Sequence, residues 1–233
     1  MTVSVKPVLA EFIGTFALVF VGAGTATALG PHVPAIAFAH GLTLMAFAAA
    51  FGGISGAHVN PAVTVGLTAA GEFPYRNVVP YIVAQLAGAV AASFLLLAIF
   101  GGPANGLGAT TVDLQRITYG GAFVLEAIGT FFLVTVVLLT AVRKGAAVPL
   151  APLAIGMTLA ICIFFFGALT GGSLNPARTI GPDVARSMYD GVLVYIVAQL
   201  VGGVAAGMLY RLFWVAEPKL ASFGADLHGT EAD

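Results

Sequence analysis

Gly52-Gly53-Ile54-Ser55-Gly56-Ala57-His58-Val59-Asn60-Pro61-Ala62 returns 115 positions later as Gly167-Ala168-Leu169-Thr170-Gly171-Gly172-Ser173-Leu174-Asn175-Pro176-Ala177. Working outward, the same offset pairs Glu11-Phe12-Ile13-Gly14-Thr15-Phe16 with Glu126-Ala127-Ile128-Gly129-Thr130-Phe131, and Gly41 and Thr43 with Gly156 and Thr158. Tyr81-Ile82-Val83-Ala84-Gln85-Leu86 returns as Tyr195-Ile196-Val197-Ala198-Gln199-Leu200, now offset by 114, so one residue was lost or gained between. Chance likeness of apolar helices would align Leu with Leu. It would not align Glu with Glu and Asn-Pro-Ala with Asn-Pro-Ala in one register. The chain is an internal duplication, about 8–101 and 121–215.

The background of the repeat is apolar. Of 233 residues 59% are hydrophobic and 8% charged, where soluble domains run near a quarter charged. Nine Lys+Arg and ten Asp+Glu are too few to cover a globule of this size. A net charge of −1 excludes a basic nucleic-acid binder, and the single Cys162 excludes a disulfide framework or a Cys-based zinc site. Six stretches, about 8–30, 34–52, 80–101, 121–142, 149–168 and 190–215, have the roughly 20 apolar residues that a spanning helix needs. They are continuous, unlike the alternating ten-residue segments of a membrane β-barrel. A cleavable signal peptide ending near Ala26-Thr27-Ala28 is the competing reading of the N-terminus. Glu11 inside the apolar run and the recurrence of the segment at 126 oppose it.

The expected fold is therefore an all-α integral membrane protein, one domain over 1–233 with a polar tail at 217–233. Each half carries three spans, so the second crosses in the opposite sense, a 3+3 inverted repeat. An even number of spans puts both termini on one side. Lys6, Arg76, Arg143, Lys144, Arg211 and Lys219 fall on that side, against Arg116, Arg178 and Arg186 on the other. The positive-inside bias makes the termini cytoplasmic. The inner membrane of a prokaryotic cell is the expected location.

The segments after the two Asn-Pro-Ala triplets are too short to span. The Gly-rich stretches 52–59 and 167–174 are expected to be irregular. Asn is a good N-cap, and Pro suits the first helical position because its missing N–H would be unpaired there. Each triplet is thus expected to open a half-helix, about 60–69 and 175–186, one from each face of the membrane. Irregular backbone at that depth requires protein or a water-filled cavity around it. Two interfacial turns are the alternative, which leaves the buried Glu pair unexplained.

On these residues the sequence resembles the aquaporin, or major intrinsic protein, family from about 8 to 215. Both Asn-Pro-Ala motifs, Arg178 after the second, the Glu11/Glu126 pair and the six-span repeat fit. The resemblance implies that Asn60-Pro61-Ala62 and Asn175-Pro176-Ala177 meet at the pore centre, that Glu11 and Glu126 accept hydrogen bonds from the re-entrant loops, and that four copies associate, each with its own pore. A proton relay through the Glu pair is the competing reading. Two helix N-termini aimed at one point each carry roughly +0.5 charge, a barrier to cations. The Asn60 and Asn175 amides can donate to a passing water, and carbonyls of 55–59 and 170–174 can accept along the path.

Counting from the motifs as the family pattern allows, the selectivity filter would be His40, Ile163, Gly172 and Arg178. Orthodox water channels resemble one another in Phe and His at the first two of these positions. Glycerol facilitators carry a Trp and Phe wedge, with Asp after the Arg, where this chain has Thr179. The set here is similar to plant tonoplast intrinsic proteins of the ammonia-permeable kind. A surface-snorkelling Arg178, an Ile163 that faces a neighbouring helix and a merely packed His40 are the bland readings. His58 resembles a position at the cytoplasmic pore mouth, or else satisfies loop carbonyls. Asp183 and Tyr195-Ile196 depart from the family's usual residues. Gly172 stands where mercurial-sensitive relatives carry Cys.

The expected function is a passive channel for water, with ammonia and urea as further permeants and protons and ions excluded. A glycerol or urea facilitator is the nearest alternative, and an ion-coupled secondary transporter is the alternative of another class. No nucleophile–base pair or metal cluster suggests an enzyme, and no cofactor is expected. The expected partners are water, small neutral solutes, the lipid bilayer and three further copies of the chain, with no nucleic acid.

Overall fold

The computed structural model describes residues 4–215. The polar tail at 217–233 lies outside them. Eight α-helices follow in order: α1 Val5–Leu29, α2 Val33–Ser55, α3 Pro61–Ala70, α4 Val78–Phe100, α5 Tyr119–Val137, α6 Ala151–Phe166, α7 Pro176–Arg186 and α8 Val192–Phe213. Among the described residues six helical segments are long and apolar enough to cross a bilayer. They are Val5–Leu29, Val33–Ser55, Tyr75–Phe100, Tyr119–Val142, Val148–Phe166 and Val192–Phe213. The expected spans hold, and α3 and α7 are the two short helices between them.

The packing repeats with the sequence. α1 lies on α4 as α5 lies on α8, and each half-helix crosses to the other half, α3 onto α8 and α7 onto α4. α2 and α6 pack on each other, which puts that pair on the pseudo-two-fold axis. Gly41 and Gly156 face one another there: a Cβ on Gly41 would meet the Gly156 carbonyl oxygen at 2.7 Å, and one on Gly156 would meet the Met45 Cβ at 2.7 Å. Small residues let the backbones approach where lipid supplies no hydrophobic drive.

One boundary departs from expectation. The stretch 52–59 is not irregular throughout, because α2 continues through Ser55 and ends at Gly56, whose φ of 85° suits an αL cap and whose N–H donates to the Gly52 carbonyl at 3.1 Å. Gly costs about 1 kcal/mol in a helix. In a bilayer an unpaired backbone group costs more, so the helix is kept until a loop can satisfy its own polar groups. The equivalent stretch stays helix-like too, with Gly167 N–H on the Ile163 carbonyl and Thr170 N–H on the Phe166 carbonyl.

Candidate functional site

The two loops that follow α2 and α6 are held by buried carboxylates. Glu11 Oε1 accepts from Ser55 Oγ at 2.7 Å and His58 N–H at 2.9 Å, and Oε2 accepts from Val59 N–H and Gln85 Nε2, both at 2.7 Å. Glu126 reproduces the set in the second half. Its Oε1 takes Thr170 Oγ1 at 2.7 Å and Ser173 N–H at 3.0 Å, and its Oε2 takes Leu174 N–H and Gln199 Nε2, both at 2.8 Å. Both Glu residues are fully buried. A charge taken out of water needs such a shell, and hydrogen bonds to charged groups contribute about 1.5–3 kcal/mol each.

These bonds also aim the carbonyls. In a trans peptide the C=O points opposite to the N–H of the next residue. With the N–H groups of His58 and Val59 turned to Glu11, the carbonyls of Ala57 and His58 turn away from it. The same holds for Gly172 and Ser173 opposite Glu126. Left-handed backbone at Ala57 (φ 48°), Val59 (φ 43°), Gly172 (φ 59°) and Leu174 (φ 54°) makes this possible. The acceptor rows are therefore shorter than the expected 55–59 and 170–174. Tyr81 Oη donates to the Ser55 carbonyl at 3.0 Å and Tyr195 Oη to that of Thr170 at 2.6 Å. Carbonyls of Val59 and Leu174 are taken by the motif asparagines.

Those asparagines work on two sides. Asn60 Oδ1 caps α3 by accepting from Ala62 N–H at 2.8 Å, and Asn175 Oδ1 caps α7 by accepting from Ala177 N–H at 2.9 Å and Arg178 N–H at 3.3 Å. Across the axis, Asn60 Nδ2 donates to the Leu174 carbonyl at 2.8 Å and Asn175 Nδ2 to the Val59 carbonyl at 2.9 Å. An amide carries two N–H donors, so each keeps one beyond the cross-link. Both asparagines line a narrow lumen. Pro61 and Pro176 stand at the first helical positions, and Ala62 and Ala177 are buried directly after them.

The lumen is lined by the apolar Leu18, Leu44, Val63, Leu133, Val137, Ile155 and Leu159 and by the polar His40, His58, Asn60, Asn175 and Arg178. It is a cavity of about 20 Å³, room for one or two waters at about 10–15 Å³ each. Its wall obeys the repeat offset: Leu18 answers Leu133, and Leu44 answers Leu159. The mismatched pairs are His40 with Ile155, Val63 with Arg178 and His58 with Ser173. Arg178 lines both this lumen and a wider vestibule of about 740 Å³, with Ile163, Gly171, Arg116 and Arg186. It is 2% exposed, and its Nε and Nη1 have no acceptor among the described residues.

The four counted filter positions are thus close but not equivalent. His40 lines the lumen and Arg178 the junction, whereas Ile163 is on the vestibule wall. Gly172 is buried behind Ile163: a Cβ on it would meet Ile163 Cγ1 at 3.0 Å and Cα at 3.1 Å. His58 lines the lumen, with Nδ1 at 3.0 Å from Thr64 Oγ1 and its ring 4.7 Å from that of Phe73. Asp183, unassigned by motif, takes Arg186 Nη2 at 3.0 Å and Nε at 3.2 Å, fixing that guanidinium on the vestibule wall. Cys162 packs in the core between helices. Among the described residues there is no cluster of His, Cys, Asp and Glu fit for a metal ion.

Gln85, Gln199, Ser55 and Thr170 belong to the loop scaffold and were not singled out from sequence. Their signal was the repeat itself, since a polar residue matched at the same offset in two apolar helices has a paired task.

A family model described as "Major intrinsic protein" matches residues 1–210. The chain is 40% identical to Aquaporin AqpM of Methanothermobacter thermautotrophicus, over 88% of this chain and 96% of that one. It is 42% identical to Aquaporin TIP2-1 of Arabidopsis thaliana, over 89% and 86% respectively. Its fold matches the X-ray structure of the aquaglyceroporin from Plasmodium falciparum with a TM-score of 0.77 and 27% identity, covering 89% of this chain and 95% of that one. Paired half-helices, a narrow lumen between them and these likenesses agree: the chain belongs to the major intrinsic protein family, the aquaporins, and is a multi-pass membrane channel, not an enzyme.

Proposed function

We propose that the channel passes water, admits ammonia and, less readily, urea, and excludes protons and ions. The observation that carries this is the lumen: a lining of apolar side chains interrupted by a few polar ones, room for one or two waters, and two capped helix N-termini meeting at Asn60 and Asn175. Water loses hydrogen-bond partners beside the apolar side chains and regains them from the asparagine amides, Arg178 and the carbonyls of 57–58 and 172–173. At the centre both asparagines donate, so a water there turns its oxygen to them and its hydrogens outward, which interrupts a proton wire. The positive helix ends oppose a cation at the same point. His40, Ile163, Gly172 and Arg178 act as the filter in this reading. His40 in place of the bulkier Phe at the first position favours a neutral solute slightly larger than water.

Stopped-flow light scattering on proteoliposomes tests it. Osmotic water flux and ammonia flux are expected to rise over empty vesicles, with urea lower and no proton or sodium current. Unchanged water permeability would overturn the reading. The likeness to an aquaglyceroporin favours one second reading, a glycerol facilitator, which predicts glycerol flux above that of urea. In the proposed reading both termini are cytoplasmic, the host membrane is the inner membrane of a prokaryotic cell and the chain assembles as a homotetramer. Native mass spectrometry in detergent tests the tetramer.

A further inference from the structure

The repeat makes the lumen wall self-comparing, and one mismatch lies on α1. Gly22 stands where the second half has Val137, and Val137 lines the lumen. Gly22 is buried. A Cβ built on it would fall under 3 Å from Cδ2, Nε2 and Cε1 of His40, at nearly equal distances from the three. Near-equal distances to three ring atoms put that carbon over the face of the ring, so the imidazole lies against the bare Cα of Gly22. Its inner edge is fixed: Nδ1 is 2.9 Å from the Ile36 carbonyl, one turn back on α2. Nε2 has no partner among the described residues. In the second half the pair is Val137 and Ile155, two branched side chains that both face the lumen.

From this we propose that Gly22 is a positioning residue for solute selection: by withholding a side chain it lets His40 recede against α1 and sets the width of the lumen beside Arg178. It rests on the reading of His40 as part of the filter. With Nδ1 tethered to α2, a ring displaced from Gly22 has the lumen to move into. A methyl at position 22 then narrows the passage opposite the Arg178 guanidinium. Solutes larger than water lose most, because their clearance is smallest. Gly22 is not needed there for a left-handed backbone, since it lies within regular α1 and has no positive φ. Its role is room.

The test is a double-mutant cycle in proteoliposomes with Gly22→Ala, His40→Ala and both, scored by water, ammonia and urea permeability and by thermal midpoint in detergent. Gly22→Ala alone is expected to lower ammonia and urea flux more than water flux, by at least about twofold, the low end for coupled residues in contact. In the His40→Ala background it is expected to change nothing. Should Gly22→Ala fail to fold while the double variant folds, the crowding of His40 is borne out by that rescue. An equal effect with and without His40, no effect at all, or failure of both variants to fold would overturn the proposal. If His40→Ala leaves the solute ranking untouched, the filter reading fails instead, and the thermal coupling between positions 22 and 40 still reports on the packing.

Discussion

At the scale of single residues the costly groups do the shaping. Glu126 is fully buried with four donors on its two oxygens. Replacing it by Ala strands all four, and each unsatisfied buried group costs about 1–3 kcal/mol. Glu126→Ala is expected to lower the thermal midpoint sharply and to abolish water flux, because the carbonyls of Gly172 and Ser173 lose the bonds that aim them. Glu126→Gln keeps one acceptor but turns an NH2 toward donors, so it is expected to fall between, in the same melting and flux measurements. Arg178 is the second case. Its counterpart at the repeat offset is Val63, so Arg178→Val gives the outer lumen the character of the inner one. Urea and ammonia flux are expected to rise with water flux retained, read by stopped flow. Both groups were legible in the sequence, since a carboxylate or guanidinium in an apolar run has few explanations. Gln85 and Gln199 were not, because an amide in a helix declares no partner until the fold brings Glu11 and Glu126 to it.

At the scale of elements, caps and close crossings set the geometry. The half-helix starts were readable because Asn followed by Pro has one good use at a helix N-terminus. The end of α2 lies beyond what its glycines imply, since glycine propensity is a water-based argument and a bilayer penalises an unpaired backbone more. Asn175 shows how cap and selectivity join. Asn175→Asp still caps α7, but it loses the Nδ2 bond to the Val59 carbonyl, worth about 1 kcal/mol. It also sets a negative charge where two helix ends oppose cations. The fold is expected to survive and proton leak to rise, measured with a pH dye inside vesicles. Gly156→Leu probes the crossing on the axis. Its Cβ would meet Met45 and the Gly41 backbone, and overpacking a core costs about 1–3 kcal/mol even where neighbours yield. A lower thermal midpoint and loss of the monodisperse species in size-exclusion chromatography are expected.

At the scale of the molecule the halves are related by sequence and joined by exchange. The offset of 115 revealed the inverted pair, but not how far each half enters the other. α3 rests on α8 and α7 on α4, and the two Asn amides bond across to the opposite loops. The connecting segment between α4 and α5 is likewise anchored to both halves. Leu107 is buried in one cluster with Val19 and Ala89 of the first half and Ala177 of the second. Asp113 N–H on the Leu169 carbonyl at 2.9 Å and Arg116 Nη1 on the Ala168 carbonyl at 3.3 Å tie its far end to the second. Contacts between the halves, rather than the covalent link, thus hold the lumen together. Cleavage at a protease site inserted between Thr111 and Val112 is then expected to leave water flux within about twofold of the uncut channel, since Thr111 is exposed and a nick at an exposed loop position changes stability little. The two fragments are expected to co-purify in mild detergent and to part only on denaturation. Separation of the fragments after cleavage, or loss of flux with the fragments still together, would show that the link itself keeps the half-helices in register.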